Sequence, residues 1–328
     1  MTDQLIYSAE VLLNGLMTGV MYALVALGFV LIFKASGVFN YAQGVMALFA
    51  ALTLVGIQQG QVPFAHVINA TFGTNVEEFG WTVPSVLAIA LTALVMVLLA
   101  WLIEKLVLQH LVGQEPIILF MATIGLAYFL EGLGDLMWGA DIKTLEVGVP
   151  QGISDTVEGL TDRWFGYGFF IDRLDIWATI IAALLVAALV AFSQYTKQGR
   201  AMRAVADDHQ AALSVGISLQ FIWIMVWSIA GFVALVAGIM WGTKSGVQFS
   251  LSLIALKALP VLMLGGFTSI PGAIVGGLII GVGEKLFEYW VGPMVGGATE
   301  NWFAYVLALV FLVFRPQGLF GERIIERV

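Results

Sequence analysis

Asn40 and Gln43 stand three residues apart at the start of an apolar run, a spacing that sets both amides on one face of a helix. Two uncharged amides side by side can donate to and accept from a small polar solute, and Gly44 beside them permits a close backbone approach. Glu131 and Asp135, four apart, repeat the arrangement with carboxylates, and Lys257 sits among Leu256, Ala258 and Leu259. Ionisable groups at membrane depth cost roughly 2.5–3.5 kcal/mol at a helix centre and are often functional. For Asp135 and Lys257 the competing account is snorkelling to the outer interface. For Glu131 it is an ion pair with Lys257 that locks two helices.

Covalent chemistry finds few of its parts. Gly132-Leu133-Gly134-Asp135 spells the GxGD string of intramembrane aspartyl proteases, but that mechanism needs a second Asp sharing a proton, and no companion Tyr-Asp dipeptide occurs. GxSxG is absent, and without a Gly-Lys dipeptide there is no GxxxxGK[ST] loop to cradle ATP phosphates. Any ATP that drives this protein must be bound by another chain. The histidines, His66, His110 and His209, are scattered, and the absence of cysteine excludes disulfides, iron–sulfur clusters and thiolate zinc. No metal or cofactor is expected.

The elements that position these groups follow from composition. Of 328 residues 60% are hydrophobic and 11% charged, with a mean hydropathy of +0.96, against about 25% charged in a soluble domain. Residues 11–33, 79–103, 176–196 and 258–283 carry no charge at all, and each is long enough to cross a bilayer as a helix. The runs are apolar all round, which argues against alternating barrel strands. A net charge of −8 without a basic block leaves nucleic acid no electrostatic footprint. The N-terminus lacks the basic region of a cleavable signal, so the first span is expected to remain.

The pattern predicts an all-α polytopic bundle of about 8–9 spans forming a single domain over 1–328. Spans are read at 8–33, 38–58, 82–108, 116–138, 174–195 and 219–242. Two Gly/Pro-broken stretches follow at 251–267 and 270–290, either two spans or one re-entrant hairpin, and a last span at 301–315. Broken apolar segments often mark where transporter helices unwind around a pathway. With the N-terminus outside, inner loops hold eight of the fourteen basic residues, Arg323 and Arg327 included, so N-out, C-in is the expected orientation. Small residues at Ala230, Ala234, Gly238, Gly242 and Gly246, and at Gly15 and Gly19, read as helix-packing stripes.

Two segments outside the membrane stand out. The outer stretch 139–173 mixes acidic residues with Trp164, Phe165 and Tyr167, enough for a small cap. The inner stretch 196–218 holds Gly199-Arg200-Ala201-Met202-Arg203, then Asp207, Asp208 and Gly216. Gly199 and Gly216 would bracket a helix of about four turns, with Arg203 and Asp207 paired at i, i+4 and Val205, Ala212 and Leu213 along one side. Such a strip either lies on the membrane surface or docks a cytoplasmic partner. From the residues alone an ion-coupled transporter or channel also stays open, with only Glu131, Asp135 and Lys257 to serve a charged relay.

The loop resembles that of the permease subunit of branched-chain amino acid ABC importers of the high-affinity leucine/isoleucine/valine type. That loop reads roughly G-R-A-x-R-A-x-A-x-D-x-x-x-A-x-x-x-G-I, matched here from Gly199 to Ile217. Asn14-Gly15 with Tyr22-Ala23-Leu24, Asn40-Tyr41-Ala42-Gln43-Gly44, Ala122-Thr123-Ile124-Gly125-Leu126, the stretch from Gly265 to Ala273 and Arg315-Pro316-Gln317-Gly318-Leu319 are similar in order and place. The resemblance implies a multi-pass protein of the bacterial inner membrane that is a transport subunit and not an enzyme. Its implied partners are a second related permease subunit, two ATP-binding subunits and a periplasmic substrate-binding protein. It further implies that Gly199, Arg200, Arg203, Asp207, Asp208 and Gly216 couple the bundle to an ATP-binding subunit. Branches of the family also move urea, short amides and aromatic or dicarboxylic acids. Three departures bear on substrate: Gln43 replaces the usual His, Glu131 stands where Gln is common, and Pro260 interrupts a run usually free of proline.

Overall fold

The computed structural model of the chain describes residues 2–321 apart from 112 and 208. Its elements in order are α1 (Thr2–Ser36), α2 (Gln43–Gln58), α3 (Ala65–Phe72), α4 (Ser85–Leu106), α5 (Pro116–Trp138), α6 (Asp155–Phe165) and α7 (Arg173–Tyr195). They continue as α8 (Lys197–Asp207), α9 (His209–Ser214), α10 (Leu219–Ser245), α11 (Ile254–Gly265), α12 (Ile270–Trp290), α13 (Gly292–Val295) and α14 (Phe303–Phe314). Short 3-10 turns occupy Leu108–His110, Phe249–Leu253 and Thr299–Asn301. Among the described residues β-pairing is limited to isolated bridges such as Lys143 with Val247. The protein is all-helical, as its composition requires.

Six helices are long and apolar enough to cross a membrane: Ile6–Ser36, Ser85–His110, Pro116–Trp138, Arg173–Tyr195, Leu219–Ser245 and Ile270–Trp290. The apolar helices Gln43–Gln58, Phe249–Gly265 and Phe303–Phe314 are shorter than the 17–25 residues of a full crossing at 1.5 Å per residue, or only just reach it. Every predicted span therefore has a helix, though α2 begins five residues later than expected. The last basic residues assigned inside, Arg323 and Arg327, lie outside the described residues.

The chain gathers into two compact units. One comprises Met1–Val30, Val149–Val190 and Leu256–Val328, the other Leu31–Gly148 and Ala191–Ala255. In the second, α10 packs on α2 and α4, and α2 also packs on α5. The small-residue stripe makes this possible, because Ala230, Ala234, Gly238 and Gly242 are buried. Gly246, read with the stripe, instead sits just past the helix end at φ +79°. The outward face of α4 presents Leu87, Leu91, Leu94 and Leu98 at helical spacing. An all-apolar exposed stripe of this kind suits lipid.

In the first unit α1 and α12 touch through glycine. A Cβ on Gly15 would come 2.8 Å from the Val282 Cα, and one on Gly19 would come 2.5 Å from the Gly277 carbonyl oxygen. The reverse holds as well, with Gly277 meeting the Gly19 carbonyl oxygen at 2.5 Å. The residues 251–290 that could be spans or a hairpin form the short α11 and the long α12, joined by a tight turn. Ser269 caps α12 by accepting from the Gly272 N–H at 3.0 Å, with Pro271 in the first turn.

Candidate functional site

Asn40 and Gln43 are brought together, by a different route than helical spacing. Asn40 lies in the turn before α2, where its Oδ1 accepts from the Ala42 N–H at 3.1 Å, an Asx-turn. Its Nδ2 donates to Gln43 Oε1 at 3.4 Å. Gln43, the first residue of α2, donates from Nε2 to the Ala230 carbonyl on α10 at 3.2 Å. Both amides are almost wholly buried, and each is satisfied as burial demands. Gly44 packs against the segment before and within α11, where a Cβ would overlap the Ser252 carbonyl oxygen and stand 2.5 Å from the Ala255 Cβ. This is a closed polar joint at the start of α2.

Glu131 is partly buried on α5, and Asp135, one turn on, is exposed. Neither side chain forms an ion pair among the described residues. Of the two accounts of Glu131, the pair with Lys257 is not the one formed: the carboxylate that Lys257 meets is on α12. Lys257 Nζ stands 2.6 Å from Glu284 Oε1, with Glu284 fully buried and the lysine side chain 27% exposed. Tyr22 on α1 donates its hydroxyl to the same oxygen at 3.3 Å, and Lys257 Nζ donates to that hydroxyl at 3.2 Å. The ammonium also lies 5.6 Å from the Tyr22 ring centroid, within cation–π range, and donates to the Glu300 carbonyl at 3.4 Å.

Around this core a second ring of polar groups ties the end of α12 to the 3-10 turn that follows. Lys285 pairs with Glu300 at 2.8 Å, and Glu288 accepts from the Ala298 N–H at 3.1 Å, the Thr299 N–H at 2.6 Å and the Thr299 hydroxyl. Sequence reading missed Glu284. The charge-free run 258–283 stops there, so Glu284 reads as the border of a span, whereas α12 continues six residues further. The available signal was the distance from Ser269: a helix capped there places residue 284 four turns in, still within hydrocarbon reach.

The 196–218 stretch is helical over Lys197–Asp207 (α8) and His209–Ser214 (α9), with residue 208 between them outside the described residues. Gly199 lies in the first turn of α8 and is buried, with its Cβ position 2.6 Å from the Ser193 Cα. Met202 and Val205 are buried while Arg200 and Asp207 are exposed and Arg203 is partly exposed, so α8 is amphipathic and rests its apolar side on α10. Arg203 and Asp207 form no ion pair among the described residues, and Asp208 lies outside them. Of the expected apolar side, Val205 and Ala212 are buried, but Leu213 is 54% exposed. Gly216 ends α9 at φ +84°, with its N–H donating to the Leu213 carbonyl and the Ile217 N–H to the Ala212 carbonyl. That pair of bonds is a Schellman cap, which needs a left-handed residue that glycine adopts at little cost.

In the segment after α5, Lys143 donates to Gln61 Oε1 at 2.6 Å beside a cavity of about 230 Å³ that His66, Glu77, Glu78, Asp141 and Trp138 help to line. Burial pushes its ammonium below the usual lysine range, and Asp141 partly opposes that. Tyr167 packs its ring 4.8 Å from that of Tyr7. Desolvation, then hydrogen bonding to Tyr7 and the charge of Glu10, pushes its phenol up to about 12.

Helices of spanning length, lipid-suited outer faces and polar groups gathered into interior joints define an integral membrane protein of the multi-span helical class. Comparison with known proteins gives the particular kind. A family described as "Branched-chain amino acid transport system / permease component" matches residues 11–315, and the chain belongs to that family of transport subunits. The high-affinity branched-chain amino acid transport system permease protein LivH of Escherichia coli K12 is 27% identical over 100% of both chains. The permease protein BraD of Pseudomonas aeruginosa is 27% identical over 97% of each. Among solved structures, a chain of PsaBC from Streptococcus pneumoniae in complex with a Fab is similar at a TM-score of 0.43 and 14% identity, over 94% of this chain and 92% of that one.

Proposed function

We propose that this chain is the membrane-spanning subunit of an ATP-binding-cassette importer in the bacterial inner membrane, taking up branched-chain or closely related amino acids. The observation that carries the reading is α8. It is a cytoplasm-assigned amphipathic helix, seated on α10 by Met202 and Val205, that turns Arg200 and Asp207 outward in a chain with no phosphate-binding loop of its own. A membrane subunit that cannot hydrolyse ATP needs a rigid handle for the subunit that does. In this reading α8 is that handle, with Gly199 in its first turn, Gly216 closing the α9 end of the stretch, and Arg200, Arg203, Asp207 and Asp208 meeting the ATP-binding subunit.

A second related permease chain, two ATP-binding subunits and a periplasmic binding protein complete the assembly. ATP is bound by the partners, and this chain needs no cofactor. Asn40, Gln43 and Gly44 would line the pathway in the state where the joint at α2 opens, with Glu131 disfavouring anionic solutes from the outer half. Copurification with candidate ATP-binding and binding-protein chains, followed by ATPase assay with and without leucine, isoleucine and valine, tests the reading. Failure of leucine to stimulate ATP hydrolysis or enter vesicles in the complete assembly would overturn the substrate assignment.

A further inference from the structure

The geometry points to Tyr22, Lys257 and Glu284 as a binding site for the two charged ends of a zwitterionic solute, held shut by its own ion pair in this conformation. This deepens the proposed function, on which it rests, by naming residues that would recognise an amino acid as such. The argument begins with unequal use of the Glu284 carboxylate. Oε1 accepts from both Lys257 and Tyr22, while Oε2 is buried and has no hydrogen-bond partner. A buried acceptor left open costs about 1–3 kcal/mol, and charges inside a membrane protein face a cavity or pair fully unless they have work to do.

A second acceptor lies one residue away. Pro260 sits inside α11 and has no N–H, so the Leu256 carbonyl lacks its usual helical donor. Broken helices with freed carbonyls recur where transporters hold polar solutes. The third observation is access. Glu284 is fully buried, but the Lys257 side chain is 27% exposed, so the ammonium is the reachable end of the pair. Its other anchors are weak ones, a phenol at 3.2 Å and a carbonyl at 3.4 Å, which a swing of a flexible four-carbon stem can release.

An incoming amino acid carries the same two charges as the pair it meets. Its carboxylate draws Lys257 away, and its ammonium takes the vacated place between Glu284 and Tyr22. The exchange leaves no buried charge unpaired, which is the condition for breaking a buried ion pair at tolerable cost. No covalent step is involved. A solute with only one of the two charges leaves either Lys257 or Glu284 stranded and is rejected on that ground.

The test uses the full chain purified with its ATP-binding subunits and without the binding protein, so that selectivity belongs to the membrane part. Leucine should raise the melting temperature by about 2 °C or more at saturation, whereas leucine amide and the des-amino acid 4-methylpentanoate should not. Lys257→Met and Glu284→Gln should abolish the leucine shift. Should either fail to assemble, Tyr22→Phe keeps the ion pair and should move the leucine midpoint about threefold to tenfold higher; a purely structural tyrosine would lower the starting melting temperature and leave the midpoint alone. A midpoint unchanged in Tyr22→Phe, equal shifts from all three probes, or no shift with leucine would overturn the site. Leucine uptake by the complete native transporter separates the two readings: uptake without a leucine shift sinks only this site, and no uptake sinks the proposed substrate.

Discussion

Gly44 and Ser252 meet main chain to main chain, since a Cβ on Gly44 would overlap the Ser252 carbonyl oxygen. Gly44→Val should therefore destabilise by about 1–3 kcal/mol, the usual cost of overpacking. Gly132→Ala, where no atom lies within 4 Å, should be neutral or gain up to about 1 kcal/mol from helix propensity. Melting curves of the two variants check the contrast, and equal losses would contradict the packing at α2.

Gln43→Leu removes the donor to the Ala230 carbonyl and should cost about 0.5–1.5 kcal/mol. The native chain has no cysteine, so Asn40→Cys and Gln43→Cys give clean labelling targets. Thiol reagents should leave both unreacted in the conformation described and reach them during ATP-driven cycling. Labels that never react in any nucleotide state would make the joint a permanent helix interface.

Glu131→Gln deletes a partly buried carboxylate that forms no ion pair among the described residues. Its melting temperature should stay within what a change of about 0.5 kcal/mol allows, while uptake of anionic analogues rises relative to leucine. Competition between the two in vesicles reads this directly, and an unchanged ratio removes Glu131 from the pathway.

Arg203→Glu on α8 should uncouple ATP hydrolysis from uptake, lowering uptake at least tenfold while the bundle still assembles. Val205→Asp, which buries a charge at a position with no exposed surface, should instead destabilise by several kcal/mol. Normal uptake and normal stimulated ATPase in Arg203→Glu would remove α8 from the coupling interface.

Tyr167 sets an alkaline limit on the outer segment. Its phenol is raised above the ordinary 10 to about 12, so ionisation is harder in the fold than in the unfolded chain. Its contribution to stability is complete below pH 10 and is lost as pH rises through about 12. The melting temperature should fall over that window, and Tyr167→Phe should lessen the fall.

The six long helices were legible because a lipid-facing helix is apolar all round, and nothing in tertiary packing can override twenty such residues. The amides at 40 and 43 were legible as a pair but not as a turn, because an Asx-turn and a first helical turn place residues i and i+3 almost equally close. Lys257 was visible as an oddity. Its partner was not, since Glu284 sits where a charge-free run ends and pairing across 27 positions leaves no local trace. Leu213 stands beside the buried Ala212 in the last turn of α9 yet is exposed, and nothing in the periodicity marks where the buried stripe stops.

The seam of Gly15, Gly19 and Gly277 is walled mostly by main chain. Elsewhere a bulky substitution is rescued by shrinking the side chain opposite, but here the neighbours are main-chain atoms apart from the Ala23 Cβ, 2.8 Å from a Cβ on Gly277. These positions cannot drift in compensating pairs. A saturation library scored for uptake should find them as intolerant as Lys257 or Glu284, although they touch no solute. Intolerance along α1 and α12 thus reports a packing seam as readily as a binding residue, and only the solute-dependent readouts tell the two apart.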